Sequence, residues 1–365
     1  MSKKKILWIL NGLLNNGISM FVVNYLSHMD LDKYEYHLGI SGNYIDDNLL
    51  RRLENLNIKI HIFPCRKKKT VRYFLELKKY IKENSIELCH FHGNSATLTI
   101  DLLAAKLAGC KNRIAHCHNS KCDYKIANQL LKPFFNSLYT VGVACSDVAA
   151  ANMFGKNRNS IYIIKNGIDT QKFRFNNECR VNVRKEFNIM HDKIVLGHVG
   201  GFNEQKNQKF LIDMFKNLYS INSAYMLVLV GDGEKKQELM QYSSNIGIKK
   251  EAILFLGNRS DVNILMNAFD CFLLPSIFEG LGIVAIEAQS IGLSCILSNE
   301  VPDITKVTDN VVYLPLDIDK WTYEILGAKY SINERQCNFV RENGWDIRDC
   351  VKDLENIYLK EIGEM

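Results

Sequence analysis

Residues 274–288 read LPSIFEGLGIVAIEA, and this stretch decides the fold of the second half of the chain. It starts at the end of the apolar run Cys271–Leu274, which has the length of a buried strand, and a helical pattern begins near Gly282. At the start of a helix the first amides have no helical acceptor and lie at the positive end of the helix dipole. Glycine also lets the backbone approach a ligand closely. The stretch therefore predicts a diphosphate-binding loop made by Gly280, Leu281, Gly282 and Ile283.

Two glutamates flank this loop. Glu279 lies within it, and Glu287 lies about one turn into the helix. A carboxylate accepts hydrogen bonds well from paired sugar hydroxyls, so one glutamate is predicted to hold a sugar and the other a ribose. The alternative is that Glu279 stabilises the helix start and Glu287 is a surface residue. The apolar residues at 284–286 disfavour a free surface position for Glu287.

Before and after residues 274–288, short apolar runs alternate with helical patterns along the whole chain. This alternation predicts an α/β fold with doubly wound parallel sheets. The strand candidates are Ile6–Leu10, Tyr36–Ile40, Ile58–Phe63, Leu88–Phe91, Arg113–His116, Val141–Ala144, Ile161–Ile164, Ile194–Val199, Met226–Val230, Ile253–Phe255, Cys271–Leu274, Ser294–Leu297 and Val311–Leu314. The helix candidates are Ser19–His28, Thr70–Glu83, Ser95–Ala108, Asn207–Tyr219, Glu234–Ser244 and Val262–Ala268.

A polar stretch from Asn166 to Asn177 predicts the boundary between two Rossmann-like domains. The expected division is 1–165, an acceptor-binding domain, and 166–345, a nucleotide-sugar domain, with residues 346–365 packing back on the first. Ligands of open α/β sheets bind beyond the carboxyl ends of the strands, so the two domains are expected to face each other across a cleft.

Composition narrows the class of protein. The 365 residues suit two cores, and 47% hydrophobic content with 5 prolines indicates a fully folded chain. No apolar run reaches the roughly 18 residues of a membrane span. The run after Lys3–Lys5 breaks at Asn11 without a small-residue cleavage site, so it is interpreted as a strand, not a signal peptide. Eleven cysteines, mostly in apolar runs, indicate reduced thiols. A cytoplasmic protein is expected.

The charge is divided unevenly between the halves. Residues 1–165 carry 24 Lys and Arg against 12 Asp and Glu, whereas the rest of the chain is net acidic. The densest basic run, Arg66–Lys69 with Arg72, leads into the amphipathic stretch Thr70–Glu83. This pattern predicts contact with an anionic membrane surface, the alternative being a solvated helix start. Nucleic acid is disfavoured because no basic-aromatic interleaving accompanies the charge.

With these motifs the sequence resembles family 4 glycosyltransferases, retaining enzymes of the GT-B fold, and especially the bacterial branch that builds capsule and exopolysaccharide. Their signature is two glutamates separated by seven residues around a Gly-x-Gly loop, as Glu279 and Glu287 are here. Further matching stretches are 114–119, 166–169, 199–202 with Lys206 and Asn207, 229–233 and 255–257.

The resemblance implies a role for each matching residue. Lys206 and the loop amides would bind the donor diphosphate, Glu279 the hydroxyls of the donor sugar, and Glu287 those of the ribose. His118 matches a histidine that contacts the donor sugar; the alternative is a core histidine. The implied donor is a nucleoside-diphosphate sugar, a UDP-hexose, and the implied acceptor is a polyprenyl-linked glycan.

The sequence departs from the family at two places. Gly201 stands where the family usually has an arginine, for which Arg259 is a candidate substitute. In Asn15–Ser19 only Gly17 matches a glycine-rich loop that faces the cleft. Gly17 is therefore a candidate for close backbone approach to acceptor or diphosphate, the alternative being a plain turn before a helix capped by Ser19.

No metal or cofactor is expected. A zinc site of His116, Cys117, His118 and Cys122 is disfavoured because adjacent strand residues point to opposite faces. The family resemblance likewise implies that lysine and amides stabilise the leaving group without a metal. Two other functions stay open: a nucleotide-sugar epimerase of the same architecture, and a catalytically silent partner subunit.

Overall fold

A computed structural model describes residues 3–14, 16–119, 125–155, 161–330, 332, 335 and 338–363. The chain divides into two compact units. The first comprises residues 1–167 and 347–365, and the second comprises residues 168–346.

The first unit contains a seven-stranded parallel sheet in the order β3-β2-β1-β4-β5-β6-β7. Its strands are β1 (Lys4–Leu10), β2 (Tyr34–Ser41), β3 (Lys59–Phe63), β4 (Leu88–His92), β5 (Asn112–Cys117), β6 (Val141–Ala144) and β7 (Ile161–Ile163). Its helices within the first 167 residues are α1 (Gly17–Leu26), α2 (Asp47–Glu54), α3 (Thr70–Glu83), α4 (Thr99–Leu107), α5 (Lys125–Leu138) and α6 (Asp147–Phe154).

The strands of this unit are apolar on both faces because helices cover both sides of the sheet. Along β1, Trp8 packs into the core on one face, whereas Leu7 and Ile9 pack into the core on the other. The strand order reverses between β1 and β4. The loops after these two strands therefore flank the switch point at which open α/β sheets bind ligands.

The second unit contains a six-stranded parallel sheet in the order β10-β9-β8-β11-β12-β13. Its strands are β8 (Ile194–Val199), β9 (Tyr225–Val230), β10 (Ile253–Gly257), β11 (Cys271–Leu274), β12 (Ser294–Ser298) and β13 (Val311–Leu314). Its helices are α7 (Asn177–Glu186), α8 (Gln208–Ile221), α9 (Lys236–Asn245), α10 (Val262–Leu265), α11 (Ile283–Ser290), α12 (Ile318–Gly327) and α13 (Phe339–Glu342). The order reverses between β8 and β11, so the loops after these strands flank the second switch point.

The last helix, α14 (Ile347–Ile362), belongs to the first unit. It buries Cys350, Leu354 and Tyr358 in the core that lies on the Trp8 face of the sheet. The Tyr25 hydroxyl donates to the carbonyl of Lys165 near the end of the first 167 residues. Apolar burial of this kind fixes the returning helix on the sheet.

A buried ion triad joins α7 to the start of β11. Arg180 and Arg184 contact the two carboxylate oxygens of Asp270 at 2.5 and 2.6 Å. The amide of Val195 also donates to Asp270, at 2.7 Å. Three donors on a carboxylate that is 8% exposed replace its lost hydration, which makes the triad a specific anchor for α7.

The nine cysteines within the described ranges are all free thiols. Among the helices of the described residues, none has the length and apolar character needed to cross a membrane.

Candidate active site

Two loops meet at the β8–β11 switch point of the second unit. The loop after β8 carries Lys206, and the loop after β11 carries Glu279. The amide of Ile277 donates to the carbonyl of Gln205 at 2.8 Å, and the side-chain amide of Gln205 donates to the carbonyl of Phe278 at 3.0 Å. These bonds fix the two loops against each other, so residues 73 positions apart in sequence share one site.

Lys206 and Glu279 form a direct ion pair. The ammonium nitrogen Nζ of Lys206 lies 2.5 Å from Oε1 of Glu279, and the side chains are 18% and 7% exposed. The Ser276 hydroxyl donates to the same oxygen at 2.6 Å. The Ser298 hydroxyl on β12 in turn donates to the carbonyl of Ser276 at 2.5 Å. Lysine and glutamate are thus held in fixed positions before any ligand binds.

Beside this pair the amino-terminal end of α11 presents unused donors. The amides of Leu281, Gly282 and Ile283 have no acceptor among the described residues. Gly282 precedes the helix with a φ of +74°, and a Cβ there would lie 3.2 Å from Val301. The Thr305 hydroxyl donates to the carbonyl of Leu281 and holds the loop from behind. The predicted amide cluster is therefore a formed structure, suited to an anion.

Gly280 lies in the same loop and is exposed. Glu287 follows within α11 and is half-buried, with no hydrogen bond to its side chain from the described residues. Burial raises the pKa of Glu287 to about 8, and Lys172 opposes part of this shift. The alternative interpretation of Glu287 as an ordinary surface residue does not fit this environment.

Gly201 lies in the loop after β8, next to the loop after β9. The amide of Phe202 donates to the carbonyl of Asp232 at 2.9 Å. A Cβ on Gly231 or Gly233 would collide with this backbone, whereas a Cβ on Gly201 would meet only Asn203 at 3.5 Å and Asp232 at 3.8 Å. Gly201 is exposed, so the position has room for a long side chain.

Arg259 is engaged elsewhere in the second unit. Its Nε and Nη2 donate to the two carboxylate oxygens of Asp261 at 2.9 and 2.7 Å. Because both guanidinium donors on that edge are bound in a bidentate pair, the structure gives no support to Arg259 as the substitute for the missing arginine.

His198 was not recognised from the sequence, since a histidine inside an apolar run gives no signal of its role. Its Nδ1–H donates to the carbonyl of Leu273 at 2.9 Å, which ties β8 to β11. Its Nε2 accepts from the side-chain amide of Gln208, which also donates to the carbonyl of Gly201 at 2.8 Å. Burial lowers the pKa of His198 to about 4, so the ring is neutral and keeps both bonds.

The remaining candidates, His118 and Gly17, lie in the first unit. His118 follows β5, is buried, and contacts Nδ1 of His92 through its Nε2 at 2.8 Å. Gly17 is the exposed first residue of α1, and a Cβ there would meet no atom within 4 Å. In the alternative interpretation of this segment Ser19 was the cap, whereas Asn16 is the capping residue and accepts from the amide of Ser19, which lies within the helix.

The basic run of the first unit is smaller than expected. Arg66 is buried and paired with Asp101, which also accepts from the Tyr73 hydroxyl. It therefore contributes no charge to a surface. Lys67, Lys68, Lys69 and Arg72 are exposed, as are Val71 and Leu75 on the following helix. Cys122 of the disfavoured zinc set lies outside the described residues.

Comparison with known proteins matches both halves of the chain to glycosyltransferase families. Residues 10–172 match the family described as Glycosyltransferase Family 4, and residues 180–312 match the one described as Glycosyl transferases group 1. The two matches together span most of the chain, which therefore carries a family 4 glycosyltransferase domain followed by a group 1 glycosyltransferase domain.

Among its relatives is the putative glycosyltransferase EpsF of Bacillus subtilis, 28% identical over 98% of this chain and 97% of the relative. A second is the Escherichia coli UDP-Gal:alpha-D-GlcNAc-diphosphoundecaprenol alpha-1,3-galactosyltransferase, 25% identical over 80% of each chain.

Solved structures show the same fold. Anabaena HepE in complex with UDP and glucose has a TM-score of 0.78 at 17% identity, covering 98% of this chain and all of that one. A glycosyltransferase from Rickettsia africae has a TM-score of 0.82 at 16% identity, covering 100% of both chains. The predicted fold class, two Rossmann-like domains of the GT-B type, is confirmed.

Proposed function

We propose that this glycosyltransferase moves a hexose from a UDP-sugar, with retention of anomeric configuration, to a lipid-linked glycan in the synthesis of a bacterial capsule or exopolysaccharide. The observation that carries the proposal is the arrangement of Lys206, Glu279 and the unused amides of residues 281–283 at one switch point. Together they offer a cation and oriented donors to a diphosphate, with a carboxylate beside them for sugar hydroxyls.

The relatives support the choice of substrates. The Escherichia coli relative is named for transfer from UDP-galactose to a sugar on diphosphoundecaprenol. HepE has been solved with UDP and with UDP-glucose. A relative is also named for O-antigen biosynthesis. The first name favours both a UDP-hexose donor and a lipid-linked glycan acceptor, the HepE names favour the donor, and the last favours polysaccharide synthesis.

The roles of Lys206 and of the loop amides follow from the negative charge that develops on the leaving diphosphate. As the bond between the sugar and the diphosphate breaks, negative charge grows on the phosphate oxygens. Lys206 and the amides of residues 281–283 stabilise this charge, and they need little reorganisation because their positions are already fixed. Such stabilisation uses no metal at the diphosphate. The departing phosphate takes the proton of the acceptor hydroxyl on the same face of the sugar, so retention needs no protein nucleophile.

Glu279 has two parts in this scheme. In the unliganded site it neutralises Lys206, and with the donor bound its oxygens accept from sugar hydroxyls. Glu287 accepts from the ribose hydroxyls, Gly280 allows close approach of the donor, and Gly201 leaves open the place beside the diphosphate where the family has an arginine. His118 is assigned to the donor sugar and Gly17 to the acceptor or diphosphate. These assignments rest on the family resemblance together with the geometry given above.

Contact with an anionic membrane fits the lipid-linked acceptor. The exposed cations Lys67, Lys68, Lys69 and Arg72 adjoin exposed Val71 and Leu75. Each exposed cation near an anionic bilayer contributes about 1 kcal/mol to binding.

The test is product analysis with UDP-hexoses and a lipid-linked acceptor. The proposal predicts a glycosidic product with the α configuration of the donor, determined by NMR. An epimerised donor without transfer would favour the epimerase alternative, and an inverted linkage would contradict retention. Absence of donor cleavage by the isolated protein, with and without acceptor, would favour the silent-subunit alternative suggested by Gly201.

A further inference from the structure

Four histidines gather at the carboxyl ends of β4 and β5 in the first unit. His90 and His92 are two residues apart on β4, and His116 and His118 have the same spacing at the end of β5. His92 pairs with His116 in the sheet register. Since residues two apart share a face, all four rings lie on one side of the sheet. All four are buried.

The rings form a stacked array within an aromatic enclosure. His90 and His92 lie 4.3 Å apart between ring centroids, and His116 and His118 lie 4.1 Å apart. Trp8 lies 4.8 Å from His90 and 4.7 Å from His92. On the side that Trp8 covers, water therefore cannot form hydrogen bonds with the ring nitrogens.

Hydrogen bonds use only some of the eight ring nitrogens. His90 contacts the Tyr358 hydroxyl at 2.5 Å through Nδ1 and His116 Nδ1 at 3.0 Å through Nε2, and His92 contacts His118 at 2.8 Å. Three buried nitrogens have no partner among the described residues: His92 Nε2, His116 Nε2 and His118 Nδ1. Buried polar atoms without a partner are costly, and three of them on neighbouring histidine rings call for an explanation, of which a bound ion is one.

The chemistry of the array suits metal ligation, because a neutral imidazole offers a lone pair to a metal.

We propose that His90, His92 and His116 bind a divalent transition metal of the Zn²⁺ type. One nitrogen from each of the three lies within 4.8 Å of the others. Zinc takes histidine nitrogens at about 2.0–2.1 Å in tetrahedral geometry, which places the ligands about 3.4 Å apart. His90 then binds through Nε2, and the metal replaces its hydrogen bond to His116.

The surroundings complete this site. When His92 binds through its free Nε2, its Nδ1–H donates to His118, and the Tyr358 hydroxyl receives the Nδ1–H of His90. Such outer hydrogen bonds orient metal-binding histidines. A zinc ion held by three histidines takes water as its fourth ligand, which here would lie on the side away from Trp8.

The site is built from residues of the first unit alone, and its test needs neither donor nor acceptor. These residues differ from the zinc set considered from the sequence, which was His116, Cys117, His118 and Cys122. Adjacent residues such as His116 and Cys117 do face opposite ways, and Cys117 packs into the other core. The missing ligands come from the neighbouring strand at His90 and His92.

The experiment uses the full chain without a polyhistidine tag, stripped with a chelator and titrated with Co²⁺ and then Zn²⁺, with no donor present. The proposal predicts visible d–d absorption of tetrahedral cobalt, saturating at one ion per chain, displacement by Zn²⁺, and no response to Mg²⁺. The double variant His92→Asn/His116→Asn loses this absorption, whereas His191→Asn, at an exposed histidine, keeps it.

Circular dichroism establishes whether the double variant folds. If it does not, the single variant His90→Gln takes its place, with at least a tenfold loss of affinity expected. A wild-type chain that gives no tetrahedral cobalt spectrum overturns the proposal, and so does a folded double variant that binds cobalt as the wild type does.

Discussion

The ammonium of Lys206 lies 2.5 Å from Oε1 of Glu279, and this contact joins the loops that follow β8 and β11. The pair is formed without a ligand, so the cation that would stabilise a departing diphosphate is held in place by the carboxylate that would hold the sugar. Such positioning before the reaction is what makes electrostatic stabilisation effective. Changes to either residue therefore affect the reaction more than they affect the fold.

Glu279→Gln keeps the size of the side chain and its bond from Ser276 but removes the charge that faces Lys206. We expect sugar transfer to fall by about 100-fold or more, since a charge-assisted hydrogen bond contributes about 1.5–3 kcal/mol and a second contact to the sugar is also lost. Steady-state transfer from a UDP-sugar is the measurement. Glu234→Gln, at an exposed glutamate, is the matched control. Normal turnover in Glu279→Gln would exclude its role.

Gly282→Ala tests the backbone of the amide cluster. Because Gly282 has a φ of +74° and a Cβ would press on Val301, alanine forces the loop to shift. We expect a loss of about 1–3 kcal/mol, shared between donor affinity and stability. Gly327→Ala, where a Cβ would meet nothing within 4 Å, is the control. The outcomes are measured by calorimetric binding of UDP and by thermal unfolding; unchanged UDP binding would contradict the proposed cluster.

Gly201→Arg tests the departure from the family pattern. The position is open, so the fold accepts the side chain, and a guanidinium there adds a charge-assisted bond to the leaving group. We expect transfer to rise by about tenfold or more, in line with 1.5–3 kcal/mol for such a bond. Gly201→Gln provides length without charge and should leave the rate near that of the wild type. A rise with glutamine equal to that with arginine would show that charge is not the cause.

Glu287 gives the stability of the second unit a pH dependence. Its pKa is raised to about 8 in the folded chain, against an ordinary value of 4.5. The folded state therefore favours the protonated form, and its contribution to stability is present below about pH 4.5 and is lost as the pH rises to about 8. Glu287→Gln should unfold at a higher temperature than wild type at pH 8 and show a smaller difference at pH 5. Equal differences at both pH values would contradict the raised pKa.

Asp270→Asn tests the anchor of α7. The substitution leaves Arg180 and Arg184 buried without their full counter-charge, so we expect a loss of about 3–5 kcal/mol in unfolding free energy. Denaturant unfolding measures it, and Asp192→Asn at an exposed site should change stability little. A loss below 1 kcal/mol would mean that the triad is not an anchor.

Continuous apolar runs made the strands predictable. β6, β8, β11 and β13 have the predicted bounds, because strands of a parallel sheet are apolar on both faces. Helices were harder. The predicted helix Ser95–Ala108 is a short 3₁₀ turn followed by α4, and α5 was missed, since it contains Pro133 and presents apolar residues to solvent. Helix propensity and hydrophobic periodicity indicate neither the 3₁₀ turn before α4 nor the helix α5.

Individual residues of the candidate site could be predicted from the sequence, but the contacts between them could not. The residue pattern around Gly282 indicated free amides, and the family resemblance indicated Lys206. Neither could indicate that Lys206 pairs with Glu279, or that Arg66 is buried in a pair with Asp101. Residues this far apart in sequence are brought together by the sheet topology. For the histidine cluster a signal existed. Two His-x-His patterns, at 90–92 and 116–118, fall at the ends of adjacent strands.

The most direct test of the central claim is calorimetric titration of UDP into the wild type and into Lys206→Ala, with Lys209→Ala, an exposed neighbour, as the control. The account predicts that UDP binds the wild type and Lys209→Ala alike and binds Lys206→Ala at least tenfold more weakly, while all three chains stay folded. UDP binding of equal strength in Lys206→Ala, or none in the wild type, would contradict the claim that the loops after β8 and β11 bind a diphosphate.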